Sequence, residues 1–238
     1  MSDHSNDMII GGYGSAAGGQ YGSVRINGYG KLTGDIKCTD MHVNGAGDAA
    51  GSVDCNLLRI NGSATIEGAL NADDITVNGS GSFHGAAHCE SATVTGSADF
   101  KGGLSAQFVK VSGSIDVAGD LNTERFNSSG TFNVSGLLSA DHLEVYLDWN
   151  RSHANEVGGT DIAVHRGTRG TLRSLFTHAP AFEATTIEGN EISLELTKAD
   201  VVRGHNVTLG DGCEIGLVEY TGTLRKLGDA KVREEKKV

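Results

Sequence analysis

The sequence predicts an all-β protein, a single-stranded parallel β-helix built from turns of 17 residues. Glycine recurs with this period in two unbroken columns, although only 35 of the 238 residues are glycine. The first column is Gly28, Gly45, Gly62, Gly79, Gly96, Gly113 and Gly130, and the second is Gly34, Gly51, Gly68, Gly85, Gly102, Gly119 and Gly136. A fixed period is typical of a repeat architecture in which each repeat stacks on the one before it.

Apolar residues keep the same period and alternate with polar residues, as in a strand with one buried face. In one repeat the inward positions are Met41 and Val43, then Ala49, then Val53. Each repeat is therefore predicted to hold three short strands separated by glycine corners, where glycine reaches positive φ without steric cost. No repeat has the i, i+3, i+4, i+7 pattern of a helical solenoid. We expect a right-handed coil, because right-handed crossovers are the strong default for parallel strands.

The regular repeat is predicted to span residues 23–147. After it, residues 148–222 are expected to add two or three irregular turns around a projecting basic loop at about 166–181. Arginine and aromatic residues are enriched in interface hot spots, which makes this loop a candidate partner site. Its candidate residues are Trp149, Arg166, Arg169, Arg173 and Phe176. The alternative is a mobile loop whose positive charge offsets the acidic remainder.

The two ends are predicted to be tails. Residues 1–22 are rich in glycine and serine and are expected to be flexible, or to form a partial capping turn because Ile9 falls one period before Ile26. Residues 223–238 have mixed charge and no apolar period, which predicts a charged tail that is disordered or forms a short helix.

Three of the four cysteines, Cys38, Cys55 and Cys89, fall in one inward column that also holds alanine. No CxxC spacing is present, so we interpret the column as small packing residues and predict no metal site. No signal peptide is evident, which favours reduced thiols and a cytoplasmic protein.

Charge and motifs argue against several function classes. A net charge of −11 argues against nucleic acid as a partner, since phosphate binding needs clustered lysine and arginine. An acyltransferase-like β-helix enzyme is a distant alternative, because such enzymes have a period of six residues rather than 17. The glycine-rich string at 210–216 is not followed by a helix pattern, so we expect no nucleotide, cofactor or small-molecule substrate.

A β-helix ends in unpaired backbone N–H and C=O groups, and such edges are templates for pairing with another chain. No convincing helical cap is evident at either end of the sequence, so end-to-end self-assembly into a filament is the predicted outcome. The candidate interface residues are Ile9, Val24, Ile26, Ile215, Val218 and Tyr220.

The 17-residue repeats, together with the C-terminal block VVRGHNVTLGDGCEIGLVEY, resemble the bactofilins, polymer-forming cytoskeletal proteins of bacteria, in the version found in Bacillus and its relatives. The resemblance covers about residues 24–222. It implies a right-handed β-helix, assembly without bound nucleotide, and a scaffold for cell shape, cell-wall synthesis or motility, including flagellar assembly.

Two hypotheses from different classes follow. The first is a non-catalytic scaffold that polymerises with itself or with a paralogous bactofilin. The second is a non-polymerising adaptor that binds partners through residues 148–181. The partner of such a loop would be an acidic protein, or the anionic headgroups of the inner membrane face together with a membrane-associated client.

Overall fold

The computed structural model describes residues 7–148, 151–167 and 181–238, and every regular element in them is a β-strand. The strands pair in parallel from one turn to the next, so the predicted parallel β-helix is confirmed. The chain forms two compact units. The first comprises Met1–Val109 and Gly113–Gly119, and the second comprises Lys110–Ser112 and Asp120–Val238. The right-handed sense of the coil stays a prediction.

The strands up to residue 117 are short, with two to eight residues each. They are β1 (Met8–Ile10), β2 (Tyr13–Ala16), β3 (Gly19–Gln20), β4 (Ser23–Ile26), β5 (Tyr29–Leu32), β6 (Ile36–Val43), β7 (Ala46–Ala49), β8 (Val53–Ile60), β9 (Ser63–Ile66), β10 (Leu70–Val77), β11 (Ser80–Phe83), β12 (Ala87–Val94), β13 (Ser97–Phe100), β14 (Leu104–Val111) and β15 (Ser114–Val117).

Most of the later strands are longer, because their corners no longer interrupt the backbone pairing. They are β16 (Leu121–Ser128), β17 (Thr131–Leu147), β18 (Ser152–Arg166), β19 (Phe182–Leu194), β20 (Thr197–Leu209), β21 (Glu214–Lys226) and β22 (Lys231–Lys237).

From β4 onward in the first unit, each paired residue faces its counterpart one 17-residue repeat later. Ile36 pairs with Val53, Val53 pairs with Leu70, and Leu70 pairs with Ala87. The short strands follow the same rule, as in the pairing of Ala46 with Ser63. The 17-residue period of the glycines therefore equals the sequence offset between paired residues of neighbouring strands.

Each repeat holds two strands where the sequence predicts three. In β6 the buried residues are Ile36 and Cys38, then Met41 and Val43. The alternation of buried and exposed side chains changes phase between Cys38 and Met41. The buried side chains therefore lie on one face of the strand before this point and on its other face after it. Because β6 stays paired with β8 on both sides of the phase shift, the two predicted segments form one eight-residue strand.

Glycine is required in the columns for a different reason from the predicted one. Among the described residues, the glycines with positive φ are Gly19, Gly103, Gly212 and Gly228, and none of them belongs to either column. Instead, a Cβ on Gly62 would lie 1.9 Å from the carbonyl oxygen of Gly45. From Gly28 to Gly113, the first column therefore holds glycine because the backbones of successive coils approach too closely for a side chain.

The second unit holds coils of unequal length. Leu138 pairs with Val157, which in turn pairs with Ile187. Ile187 then pairs with Val202, and Val202 pairs with Val218. Four strands of at least 13 residues follow Leu147, where the sequence predicts two or three irregular turns.

Both predicted tails form strands in their described parts. At the start, β1 pairs with β4 and places Ile10, not Ile9, opposite Ile26, so this first coil is one residue shorter than the repeat. At the end, β22 pairs with β21 from Lys231 to Lys237, where the sequence predicts a disordered tail or a helix. A neighbouring strand supplies hydrogen-bond partners for the backbone of the added segment. This pairing does not require the added segment to have an apolar period.

The interior is filled by aliphatic columns and a few stacked aromatic rings. Phe83 and Phe100 stack at 4.6 Å between ring centroids in the first unit. In the second unit, the Phe132 ring lies 5.2 Å from Phe126 and 5.4 Å from Phe182.

The predicted cysteine column lies at the edge of this interior. Cys38 and Cys55 are register partners and both are buried, whereas Cys89 is half-buried. Burial raises the pKa of Cys89 to about 12 and that of Cys213 to about 11, which keeps both thiols protonated at neutral pH. No group of three potential metal ligands occurs in residues 7–148, 151–167 and 181–238.

Candidate assembly surfaces

The first coil has an open strand edge. Its strands β1, β2 and β3 pair with β4, β5 and β6 on one side. Within the part of the chain that the structure describes, no strand pairs with their other side. The first coil therefore presents a row of backbone donors and acceptors that a second chain could pair with.

Ile9 directs its backbone groups to this open edge. The carbonyl oxygen of Ile10 accepts hydrogen bonds from the N–H groups of Asn27 and Gly28, and that of Gly12 accepts one from Tyr29. Because backbone groups alternate in direction along a strand, those of Ile9 point away from β4.

The side chains at the open edge carry no charge. Residues 8–20 include no acidic or basic residue. Ile9 is 65% exposed and Tyr13 is 88% exposed. The Tyr13 ring stacks on Tyr29 at 4.9 Å, and the Tyr29 hydroxyl donates to Asp48 at 2.7 Å, which raises the pKa of Tyr29. Charged residues are a common device against edge pairing, and this edge lacks them.

The edge of the last coil is different in character. Its strand β22 is charged at six of seven positions and pairs with β21 on one side. In the described ranges no strand pairs with the other side of β22. The two terminal edges are thus one uncharged edge and one strongly charged edge.

The structure places the six candidate interface residues at unequal depths. Val24 and Ile26 are fully buried beneath β1, and Val218 is fully buried in β21. Ile215 is buried as well, and Tyr220 is half-buried with the Lys237 ammonium 5.9 Å from its ring centroid. Ile9 is the exposed member of the set and lies on a terminal strand.

Of the candidate partner loop, Arg166 lies within the described residues, whereas Trp149, Arg169, Arg173 and Phe176 lie outside them. Arg166 is the last residue of β18, and its backbone N–H donates to the Glu195 carboxylate at 2.7 Å. The nearby Arg151 guanidinium contacts Glu183 at 3.3 Å. Because the other four candidates lie outside the described residues, the loop site stays a prediction.

Sequence reasoning missed an asparagine ladder on the surface of the first unit. The side-chain amide of Asn44 donates to Asn27, that of Asn61 donates to Asn44, and that of Asn78 donates to Asn61, each at 2.8 Å. The Thr95 hydroxyl then donates to Asn78 at 2.8 Å. The signal was present, because each of these residues immediately precedes a glycine of the first column.

Replacing Asn61 by alanine breaks this ladder in the middle, because Asn61 both donates and accepts. We expect the first unit to lose about 1 kcal/mol of unfolding free energy, measured by urea denaturation. Asn71→Ala is the matched control, since Asn71 is exposed on β10 outside the ladder. Equal losses in the two variants would show that the ladder contributes nothing.

No helix that could cross a membrane occurs in residues 7–148, 151–167 and 181–238.

Comparison with known proteins concerns the N-terminal repeats. Residues 4–88 match the bactofilin family model, described as polymer-forming cytoskeletal. YhbF, an uncharacterized protein of Bacillus subtilis strain 168, is 39% identical over 83 residues, which cover 34% of this chain and 33% of YhbF. YhbE, an uncharacterized protein of the same strain, is 38% identical over 86 residues, which cover 35% of each protein. No solved structure matches the chain.

The chain thus spans about a third of the length of these relatives. The matched segment contains the open edge of the first coil, the glycine columns up to Gly85 and the asparagine ladder up to Asn78. It does not include the C-terminal block that contributed to the resemblance. Residues 4–88 are thus similar to the bactofilin domain, whose family is described as polymer-forming cytoskeletal.

Proposed function

We propose that this protein is a non-catalytic cytoskeletal scaffold that assembles with copies of itself, or with a paralogous bactofilin, through the strand edges of its terminal coils. The observation that carries the proposal is the open, uncharged edge of β1–β3, which lies inside the segment that matches a polymer-forming family. Pairing at an edge of this kind satisfies the exposed backbone groups and buries Ile9 and Tyr13.

The setting of the scaffold belongs to the same proposal. A cytoplasmic polymer, recruited to the inner membrane face by a client, would support morphogenesis or motility, including flagellar assembly. These roles are supported by the resemblance to bactofilins. Assembly would need no nucleotide, because the bonds that form are those of a β-sheet.

The test is electron microscopy and light scattering of the purified protein, with and without nucleotide. We expect filaments in both conditions for the unmodified chain. A monodisperse monomer in both conditions would contradict self-assembly and favour the adaptor hypothesis.

The matched variant is Ile9→Pro, which removes the N–H that points to the open edge. Proline is tolerated on an edge strand when its nitrogen faces solvent, so the fold should be retained, as checked by circular dichroism. We expect no filaments from Ile9→Pro and normal filaments from Ile9→Val, which keeps the N–H. Normal filaments from Ile9→Pro would exclude this edge as the assembly site.

A further inference from the structure

The last strand, β22, contributes almost nothing to the hydrophobic core. Val232 is half-buried, and the other six residues of the strand are exposed and charged. The strand pairs with β21 along Glu214–Tyr220. Its attachment therefore rests on backbone hydrogen bonds and surface ion pairs.

The ion pairs that hold β22 are accessible to solvent. The Lys231 ammonium lies 3.3 Å from the Glu214 carboxylate, and that of Lys236 lies 2.9 Å from Glu219. Lys226 of β21 contacts Glu235 of β22. Exposed pairs of this kind contribute little each and are screened by salt.

Glu219 also belongs to the sheet beneath β22. The Arg203 guanidinium on β20 donates to it at 2.8 Å, and Arg203 together with Lys236 lowers the pKa of Glu219. If β22 detached, Glu219 would keep its Arg203 partner. The pairing of β20 with β21 therefore does not depend on β22.

The edge beneath β22 has a well-packed interior. Ile215 and Val218 on β21 are buried, at 4% and 0% exposure. The chain reaches β22 through a tight turn with Gly228 at a φ of +62°. Detachment of β22 would leave β21 as an open strand edge that is backed by these apolar side chains.

We propose that β22 is a displaceable cover that competes with a second copy of this chain for the edge of β21, and so restrains self-assembly at the last coil. The inference rests on the proposed function, since it assumes that a second copy pairs with terminal strand edges. The charge of β22 fits this role, because charged edge strands disfavour pairing on their own outer side.

Truncation tests the competition directly. A chain that ends at Gly228 lacks β22 and should assemble at a critical concentration at least about tenfold lower than the full chain, measured by light scattering and electron microscopy. An unchanged or higher critical concentration would overturn the proposal. Loss of assembly would show instead that β22 is itself the contact surface.

A second variant keeps the full length. The double substitution Lys231→Glu and Lys236→Glu replaces two attractive pairs by repulsive ones and should also lower the critical concentration. The control is Lys37→Glu with Lys101→Glu, which makes the same change in net charge at the exposed pairs of Lys37 with Asp54 and Lys101 with Asp99. Equal effects of the two double variants would contradict a specific role for β22.

Hydrogen exchange separates this inference from the proposed function. In the Ile9→Pro variant, whose first-coil edge is blocked, we expect the amides of 231–237 to exchange at least about 100-fold faster than those of 202–209, and faster still in high salt. Similar protection of the two segments would overturn the proposal that β22 is a displaceable cover, whether or not the full chain forms filaments. If the amides of 231–237 exchange rapidly but neither the full nor the truncated chain forms filaments, the result would contradict the proposed function rather than the detachment of β22.

Discussion

Replacing Ile26 by aspartate is expected to unfold the first unit. Ile26 is fully buried on β4, with β1 on one side and β6 on the other. A carboxylate there would have no cationic partner in its column, because Ile10 and Val43 are its register neighbours. Losing the side chain and burying a carboxyl group together cost on the order of 5 kcal/mol.

Urea denaturation followed by circular dichroism measures this loss. Ile9→Asp is the matched control, since Ile9 is 65% exposed on the adjacent strand and should retain the fold. Equal stability of the two variants would contradict the buried position of Ile26. The comparison also shows why Ile9, rather than Ile26, is the residue with which to test assembly.

Replacing Gly62 by alanine is the second substitution with a large expected effect. Its Cβ would lie 1.9 Å from the carbonyl oxygen of Gly45 and 2.6 Å from that of Asn44. Both are backbone atoms, so relief requires neighbouring coils to separate. We expect a loss of about 3 kcal/mol in unfolding free energy, from the overpacking itself and the weakened pairing around it.

The control for this substitution is Gly119→Ala, in the second column of the same unit. A Cβ on Gly119 would meet its nearest atom, Cα of Gly103, at 3.5 Å, which is an ordinary contact distance. We expect the urea midpoint of Gly119→Ala to stay close to that of the unmodified chain. A Gly62→Ala variant as stable as this control would show that the coils adjust at no cost.

The fold could be predicted from the sequence because the length of the repeat gives the pairing register of the strands directly. Residues one period apart, such as Ile36 and Val53, must be chemically alike when they stack in one column. The role of the glycines was harder to predict. A positive φ is a local property, whereas the approach of Gly45 to Gly62 joins two positions far apart in the chain.

The ends of the chain were less predictable for a physical reason. Met8, Ile9 and Ile10 are all apolar, so the composition does not reveal which of them stacks on Ile26. The charged segment Lys231–Lys237 gives no inward period because, among the described strands, β21 alone pairs with it. A strand held by its neighbour alone leaves little trace in its own side chains.

The open edge of the first coil could be predicted in kind, although the candidate interface residues lie at different depths and their role stays a prediction. The expectation of open terminal edges agrees with the unpaired side of β1–β3 in the described chain. The chosen residues Val24 and Val218 lie one coil further inside, because β1 and β22 add strands beyond the recognisable repeat. Locating an edge residue requires knowing which strand is last, and that depends on pairing.

The uniform register of the first unit has a consequence for how such a chain changes length. Because residues 17 apart occupy equivalent places, duplicating or deleting one whole repeat rejoins the chain at matching positions. Within residues 27–79 the new neighbours meet with the same close approach of the first-column glycines and the same asparagine contacts as the old ones. Such a gene can therefore grow or shrink in whole coils, each event preserving the packing on both sides of the junction.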